Sequence, residues 1–273
     1  MTELLDDLAD LADRQAAVAG VVGVVLGGSR ARGTHRPDSD YDLGLYYQGA
    51  LDVAALQRLA DEVGDEPAEL TAPGGWGPWV DGGGWLTIAG QRVDWIYRDL
   101  ERVRRIWRQC QAGTYEIGFQ VGHPLGFYGH AYAGELALAR VLADPAGVLG
   151  ALQAETRHYP EPLGEALVRG LWEADFALRL AGYGAAGDDP TYAAGCLFRA
   201  MGVAGQALHG RARRWVVNEK GLITAAGELE IAPSDFADRA HGMLAVVGVS
   251  SVDIAVTVRR AAALIADVRA ALG

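Results

Sequence analysis

A glycine turn between two strand-like segments, followed closely by a pair of aspartates, constrains this chain more than any other feature. The apolar, β-branched run Val21 to Leu26 predicts a short strand, and Gly27, Gly28 and Ser29 predict a tight turn into a short helix. Ten residues separate Ser29 from Asp40, where an alternating segment predicts a second strand that ends at Tyr47. The segment therefore predicts a strand, a glycine turn and another strand in succession.

The turn has the properties of an anion-binding site, and the aspartates have those of a cation-binding site. Gly28 lets the backbone approach a ligand closely, while Ser29 and the first amides of the next helix present N–H and O–H donors. Asp40 and Asp42 are two residues apart on the predicted strand, so both carboxylates project from one face. Adjacent carboxylates repel each other unless a cation lies between them, and hard oxygen ligands suit Mg²⁺ held jointly with substrate phosphates.

A third acid, Asp94, lies in the strand-like segment Arg92 to Ile96, with apolar neighbours on both sides. An aspartate within such a strand is costly unless it has a partner. We expect a neighbouring strand to bring Asp94 beside Asp40 and Asp42. Three converging carboxylates are enough to hold a metal ion and to accept a proton from an attacking hydroxyl.

These residues together resemble the DNA polymerase beta superfamily of nucleotidyltransferases, and the helical segment that follows resembles its small-molecule branch, the kanamycin-type aminoglycoside nucleotidyltransferases. The resemblance implies that Gly28 and Ser29 bind a nucleoside triphosphate, that Asp40 and Asp42 bind Mg²⁺, and that Asp94 is a third metal ligand or the general base. It also implies in-line attack of a substrate hydroxyl on the α-phosphorus, with release of pyrophosphate.

Three basic residues are further candidates for contacts with the triphosphate. Arg30 and Arg32 directly follow the turn, where a guanidinium group can pair with phosphate oxygens, although solvated arginines are the ordinary alternative. Lys220 is the only lysine of the chain, and from the helical segment we consider it a candidate to reach the triphosphate across a cleft. Its alternative is a helix C-terminal lysine before Gly221, where positive charge suits the helix dipole.

Other side chains leave the general base and the substrate contacts open. Glu116, Glu135 and Glu155 are candidate bases if Asp94 serves only the metal. The aromatic side chains near the Gly-rich run Pro73 to Gly84 are candidates for stacking on a base or a sugar ring, and equally for packing at a domain interface. They are Trp76, Trp79 and Trp85.

The pattern predicts an α/β (α+β) fold with two domains. We expect a nucleotidyltransferase domain over residues 1–150, with a mixed β-sheet flanked by helices, and an all-α substrate-binding domain over residues 151–273, with the active site between them. Further local predictions are a mobile loop over the Gly-rich run and several secondary-structure elements. These are an opening helix that ends at Gly20, a helix over Val53–Val63 capped by Asp52, a strand beginning at Ala68–Leu70, a hairpin of Trp85–Ala89 with Arg92–Tyr97, a helix over Asp99–Cys110, and a helix or strand over Glu135–Leu142.

Charge and composition exclude several classes of protein. Lys and Arg total 24 against 35 Asp and Glu, a formal net charge of −11, which opposes long nucleic acid as a partner. The two cysteines match no metal-ligand spacing and no disulfide framework. The acidic N-terminal segment is unlike a secretion signal, and no apolar run reaches the roughly 20 residues of a membrane span. The sequence predicts a cytoplasmic protein without a membrane partner.

The predicted activity is the transfer of a nucleoside monophosphate, with ATP as the favoured donor, to a hydroxyl of a small molecule. A cationic, aminoglycoside-like acceptor fits the negative charge, and antibiotic resistance is then an analogy. Two alternatives remain at this point: the same chemistry on a protein or RNA acceptor, and a non-catalytic nucleotide-binding protein. Sequence leaves the nucleobase, the modified position and the oligomeric state open.

Overall fold

The computed structural model describes residues 2–273, with side chains described from residue 8 onward. Contacts within the chain divide it into two compact units. The first comprises the chain up to Gln109 together with Tyr115–His158, and the second comprises Cys110–Thr114 together with Tyr159–Gly273. The division after residue 150 stays a prediction.

The first unit combines a mixed sheet with helices. Its elements are α1 (Thr2–Ala16), β1 (Val21–Leu26), α2 (Gly28–Arg32), β2 (Tyr41–Tyr47), α3 (Val53–Val63), β3 (Gly83–Ile88), β4 (Gln91–Asp99), α4 (Leu100–Gln111), β5 (Ile117–Gly118), β6 (Phe127–Tyr128), α5 (Ala131–Leu138), β7 (Arg140–Ala143) and α6 (Val148–Thr156). Five of the strands form a sheet in the order β3-β4-β2-β1-β7. The central pair β2 and β4 is parallel, and the other neighbours are antiparallel.

One face of this sheet is the core of the first unit. The side chains of Leu43, Val93 and Trp95 are fully buried and alternate with residues that face the other way. Leu8 of α1 and Leu56 of α3 belong to the same buried cluster, so these two helices cover that face. The acidic residues at positions 42 and 94 therefore lie on the opposite face.

The second unit is helical. Its helices are α7 (Glu161–Arg169), α8 (Trp172–Ala186), α9 (Pro190–Arg211), α10 (Leu222–Gly227), α11 (Phe236–Ala245) and α12 (Ser251–Leu272). Small buried residues let the helices approach closely: a Cβ at Gly164 of α7 would lie 2.5 Å from the carbonyl oxygen of Gly210 in α9. Across the described part of the chain, no helix is both long and apolar enough to span a membrane.

Most of the predicted elements are confirmed. The first strand, the turn into a short helix, the capped helix α3, the hairpin of β3 and β4, and α4 all form close to their predicted bounds. The ambiguous segment Glu135 to Leu142 contains both structures, since α5 ends at Leu138 and β7 begins at Arg140.

The prediction of a strand from Ala68 to Leu70 is wrong. The backbone of this segment forms hydrogen bonds with a side chain instead of with a neighbouring strand. Gln57 of α3 donates to the carbonyl of Ala68 and accepts from the amide of Leu70, at 2.8 and 2.9 Å. These contacts satisfy the hydrogen-bonding groups of the Ala68 and Leu70 backbone without a paired strand, and the Leu70 side chain is buried.

The Gly-rich run is better described as a tethered loop than as a mobile one. Buried Asp81 accepts hydrogen bonds from Tyr47 Oη and from the amide of Gly74, and Gln120 Oε1 accepts from the amides of Trp79 and Val80. The last two residues of the run already belong to β3.

The N-cap of α3 gives a direct test of the local structure. Asp52 accepts a hydrogen bond from the amide of Ala55 at 2.9 Å. We expect Asp52→Ala to lower the free energy of unfolding by about 1 kcal/mol and Asp52→Asn to change it little, because asparagine caps as well as aspartate. Urea unfolding of the three proteins measures the difference, and equal stability of the alanine variant and the wild type would contradict the assignment.

Candidate functional site

The glycine turn and Asp42 are packed directly against each other. The amide of Gly27 donates to the carbonyl of Asp42 at 2.7 Å. Gly28 has a positive φ of 62°, and a Cβ there would lie 1.7 Å from Asp42 Oδ2. Only glycine fits this position, because both the backbone conformation and the contact exclude a side chain. Ser29 follows in the first turn of α2, and its carbonyl accepts from the amide of Thr34.

Two of the three predicted acids lie side by side. Asp42 of β2 is the register partner of Asp94 of β4, and parallel neighbours in register project their side chains from the same face. Asp40 precedes β2 instead of lying on it, which corrects the predicted bounds of that strand. Its carboxylate forms an ion pair with Arg92, with 2.5 Å between Asp40 Oδ1 and Arg92 Nε.

Burial and repulsion by neighbouring carboxylates raise the pKa values of this acidic pair. Burial is the largest cause for both carboxyls. The pKa of Asp94 rises to about 6, with further contributions from Asp42 and Asp40, while Arg92 opposes the shift. The pKa of Asp42 is also raised, with Asp40 and Glu135 adding to burial, and Arg32 is the first of the cations that oppose it. Ionising both groups together is therefore unfavourable without a cation.

The carboxylates fit a hard divalent cation only in part. Among the described side chains, no group of three or more histidines, cysteines and acids is arranged to hold a metal ion. Asp42 and Asp94 are adjacent on neighbouring strands, while the carboxylate of Asp40 is paired with Arg92. Two repelling carboxylates beside a side-chain-free turn provide the donor set that Mg²⁺ prefers when phosphates complete its coordination.

The two arginines after the turn have different surroundings. Arg30 holds its own loop: its guanidinium donates to the carbonyls of Ser39 and Pro37 and lies over the ring of Tyr41, 3.7 Å from its centroid. Arg32 is exposed and close enough to Asp42 to lower its pKa. The arginine with the freer guanidinium near the acids is therefore Arg32.

Lys220 is exposed and belongs to the second unit. It lies just before α10, where Gly221 is the N-cap residue, so the alternative of a lysine at a helix C-terminus is wrong. Its amide donates to Asn218 Oδ1 at 2.7 Å, which forms a local turn ahead of that helix.

Each of the three candidate glutamates has a partner. Glu135 forms a bidentate ion pair with Arg98, at 2.6 and 2.8 Å. Glu116 accepts from Arg105 and Gln109. Glu155 accepts from the indole N–H of Trp107 at 2.9 Å.

Sequence reasoning missed the arginines that flank Asp94 on its own strand. Arg92 and Arg98 share a face of β4 with Asp94, since all three occupy even positions. Arg98 is buried and, with its partner Glu135, influences the pKa of Asp42. The signal was available as charged residues alternating with apolar ones along a central strand.

An exposed tryptophan continues the row of acids on the far side of Asp94. Trp85 of β3 is the register partner of Asp94 in the antiparallel pair. The row across the sheet therefore runs from the glycine turn through Asp42 and Asp94 to Trp85. Trp79, in contrast, packs on Phe127 and against the backbone of Gly118, so its role is structural.

A comparison with known protein families finds a similarity for the N-terminal segment. The family model described as a nucleotidyltransferase domain matches residues 3–70, about a quarter of the chain. This segment contains the glycine turn, Asp40 and Asp42, and ends before Asp94. The segment is thus similar to a nucleotidyltransferase domain, which supports nucleotidyl transfer in general.

A solved structure gives weaker information. The nucleotidyltransferase-like protein from Exiguobacterium sibiricum is 8% identical, with a TM-score of 0.49 over 96% of this chain and 74% of that one. This similarity is too low to establish a shared fold or function. No curated protein matches the chain significantly.

The contact between Gly28 and Asp42 predicts a large effect of a single methyl group. We expect Gly28→Ala to displace the Asp42 carboxylate and lower the thermal unfolding midpoint by several degrees, because the new Cβ overlaps Oδ2. Gly33→Ala is the matched control: φ there is 71°, but no atom lies within 4 Å of the added Cβ. Equal midpoints of the two variants in thermal unfolding would contradict the close contact.

The raised pKa of Asp94 predicts a pH-dependent stability of the metal-free protein. The folded carboxyl, with a pKa of about 6, binds a proton more readily than the unfolded one near 3.8, so its contribution to stability falls as pH rises between these values. We expect Asp94→Asn to be more stable than the wild type by about 1 kcal/mol at pH 7.5, since solvent screening reduces the cost at this partly exposed site. At pH 4 the two should agree. Thermal unfolding in EDTA tests this, and a difference independent of pH would contradict it.

Proposed function

We propose that the chain is a Mg²⁺-dependent nucleotidyltransferase that moves a nucleoside monophosphate from a triphosphate, with ATP as the favoured donor, to a hydroxyl of a small molecule. The observation that carries the proposal is the in-register pair of Asp42 and Asp94 beside the glycine turn. The similarity of residues 3–70 to a nucleotidyltransferase domain supports the same class of chemistry.

Asp42 and Asp94 are the residues proposed to hold Mg²⁺, and Asp40 would join them once its carboxylate leaves Arg92. A bound magnesium ion supplies charge neutralisation at the phosphate oxygens and relieves the repulsion between the carboxylates. The amides of the turn, Ser29 and the exposed Arg32 are proposed to bind the phosphates. Arg30 supports this site indirectly, because it fixes the loop that leads to Asp40.

The proposed reaction is a single displacement at the α-phosphorus. The acceptor oxygen forms a bond to that phosphorus, the bond from phosphorus to the oxygen bridging the α- and β-phosphates breaks, and pyrophosphate leaves. The acceptor proton is proposed to pass to the Asp94 carboxylate oxygen that does not hold the metal. Glu135 is held by Arg98, and the pair of Glu116 with Arg105 and Gln109 lowers the pKa of that glutamate, so it is a weaker base.

A small-molecule acceptor with positive charge remains the favoured substrate class. The net charge of −11 and the acids around Asp42 attract a cation and repel an RNA backbone. An aminoglycoside-like compound satisfies these conditions. With a protein or RNA acceptor, or with binding alone, adding small cationic acceptors to the protein with Mg²⁺ and a triphosphate would release no pyrophosphate.

Nucleotide binding can be tested without knowing the acceptor. We expect one of ATP, GTP, CTP and UTP to raise the thermal unfolding midpoint in the presence of Mg²⁺, because a ligand that binds only the folded state stabilises it. The shift should be lost in Asp42→Asn and kept in Asp52→Asn, which alters an aspartate at the N-cap of α3. No shift with any of the four nucleotides would contradict the proposed function.

Turnover gives the corresponding prediction for the acids. Asp40→Asn and Asp42→Asn should each reduce Mg²⁺-dependent pyrophosphate release by at least about a hundredfold, because loss of a metal-binding carboxylate removes charge stabilisation at the reacting phosphate. Circular dichroism should show an intact fold. Full activity in either variant would exclude the proposed metal site.

A further inference from the structure

A stacked pair of tryptophans lies at the end of the row that runs across the sheet from the glycine turn through Asp42 and Asp94. The rings of Trp76 and Trp85 have centroids 4.5 Å apart and planes inclined by 17°. Despite this stacking, Trp85 is 67% exposed, so its other face is open to solvent. A large aromatic side chain with one backed face and one open face is a preformed surface for a flat ligand.

Hydrogen bonds to the backbone of Trp76 hold the pair in place. The amide of Trp76 donates to the carbonyl of Asp81 at 3.0 Å, and Gln120 Nε2 donates to the carbonyl of Trp76 at 2.6 Å. The Trp76 ring also lies over Gly83, where a Cβ would be 3.1 Å from its Cη2 atom. Trp85 itself is fixed by its place in β3. The surface is therefore present before a ligand arrives, which reduces the entropy lost on binding.

The position of this pair in the row favours the acceptor over the nucleobase as its ligand. Residues directly opposite in an antiparallel ladder have Cβ atoms roughly 5 Å apart, so a hydroxyl that contacts Asp94 has its carbon skeleton within reach of Trp85. The phosphate-binding turn lies at the other end, beyond Asp42. A nucleobase stacked on Trp85 would require the nucleotide to extend across both carboxylates.

We propose that Trp85, backed by Trp76, is the acceptor-binding surface and selects acceptors whose hydroxyl is carried on a ring with an apolar face, such as a sugar. This inference rests on the proposed function. The ring face contacts the indole, while its hydroxyl groups point toward Asp94. An open-chain polyol offers no rigid face and loses more conformational freedom on binding.

Tryptophan NMR tests this directly. The chain has seven tryptophans, and the indole N–H signal of Trp85 is identified by its loss in Trp85→Phe. The protein with Mg²⁺ and the α,β-methylene analogue of ATP is titrated with methyl glucoside, glucosamine and inositol, and with sorbitol, which has as many hydroxyls as inositol but no ring. We expect the ring compounds to shift the Trp85 signal and sorbitol to leave it unchanged. No shift with any ring compound, or an equal shift with sorbitol, overturns the proposal.

Variants distinguish the acceptor from the nucleobase. Trp85→Ala should weaken binding of the ring compounds about tenfold, measured by ligand-observed NMR, and Trp85→Phe should retain most of it. Trp172→Ala is the matched control, since Trp172 is 64% exposed on α8, and it should bind the rings as the wild type does. Loss of the nucleotide-induced thermal shift in Trp85→Ala would assign the surface to the nucleobase and overturn the proposal. Absence of that shift in the wild type would refute the proposed function instead, while the ring titration still tests Trp85.

Discussion

The parallel pairing of β2 with β4 is the constraint on which the candidate site depends. It places Asp42 and Asp94 side by side on one face while burying Leu43, Val93 and Trp95 on the other. The apolar face supplies the stability that lets the opposite face carry two repelling carboxylates. A shift of one residue in either strand would move its acid to the core face, and a shift of two residues would keep the faces but separate the two acids.

The buried positive charge near the acids is paired with a negative one. Arg98 is almost fully buried, and its bidentate contact with the partly buried Glu135 offsets part of the cost of removing the guanidinium from water. Glu135 raises the pKa of Asp42 and Arg98 lowers it, so the two members of the pair act in opposite directions at that carboxyl. Burial is the largest cause of the raised pKa at both Asp42 and Asp94, and an added cation would favour their charged forms.

Sequence reasoning succeeded where neighbours in the chain are neighbours in space. The glycine turn, Asp42 and the capped helix α3 were predictable from local patterns, and the charge of Asp94 within an apolar strand indicated a partner. The failures involve distant contacts. Side-chain bonds from Gln57 replaced a predicted strand, and Arg92 took up the Asp40 carboxylate. The phosphate contact of Arg30 stays a prediction, and its guanidinium contacts the carbonyl of Ser39 and the ring of Tyr41 in its own loop.

The order of strands in the sheet has a consequence for synthesis of the chain. β2 leaves the ribosome well before its parallel partner β4, which begins at Gln91. During that interval one edge of β2 is unpaired, and the β4 residues that bury its Tyr41, Leu43 and Leu45 side chains are not yet in place. Exposed strand edges of this kind promote aggregation. The nascent chain therefore passes through a vulnerable stage that ends only when β4 docks and the two acids first meet.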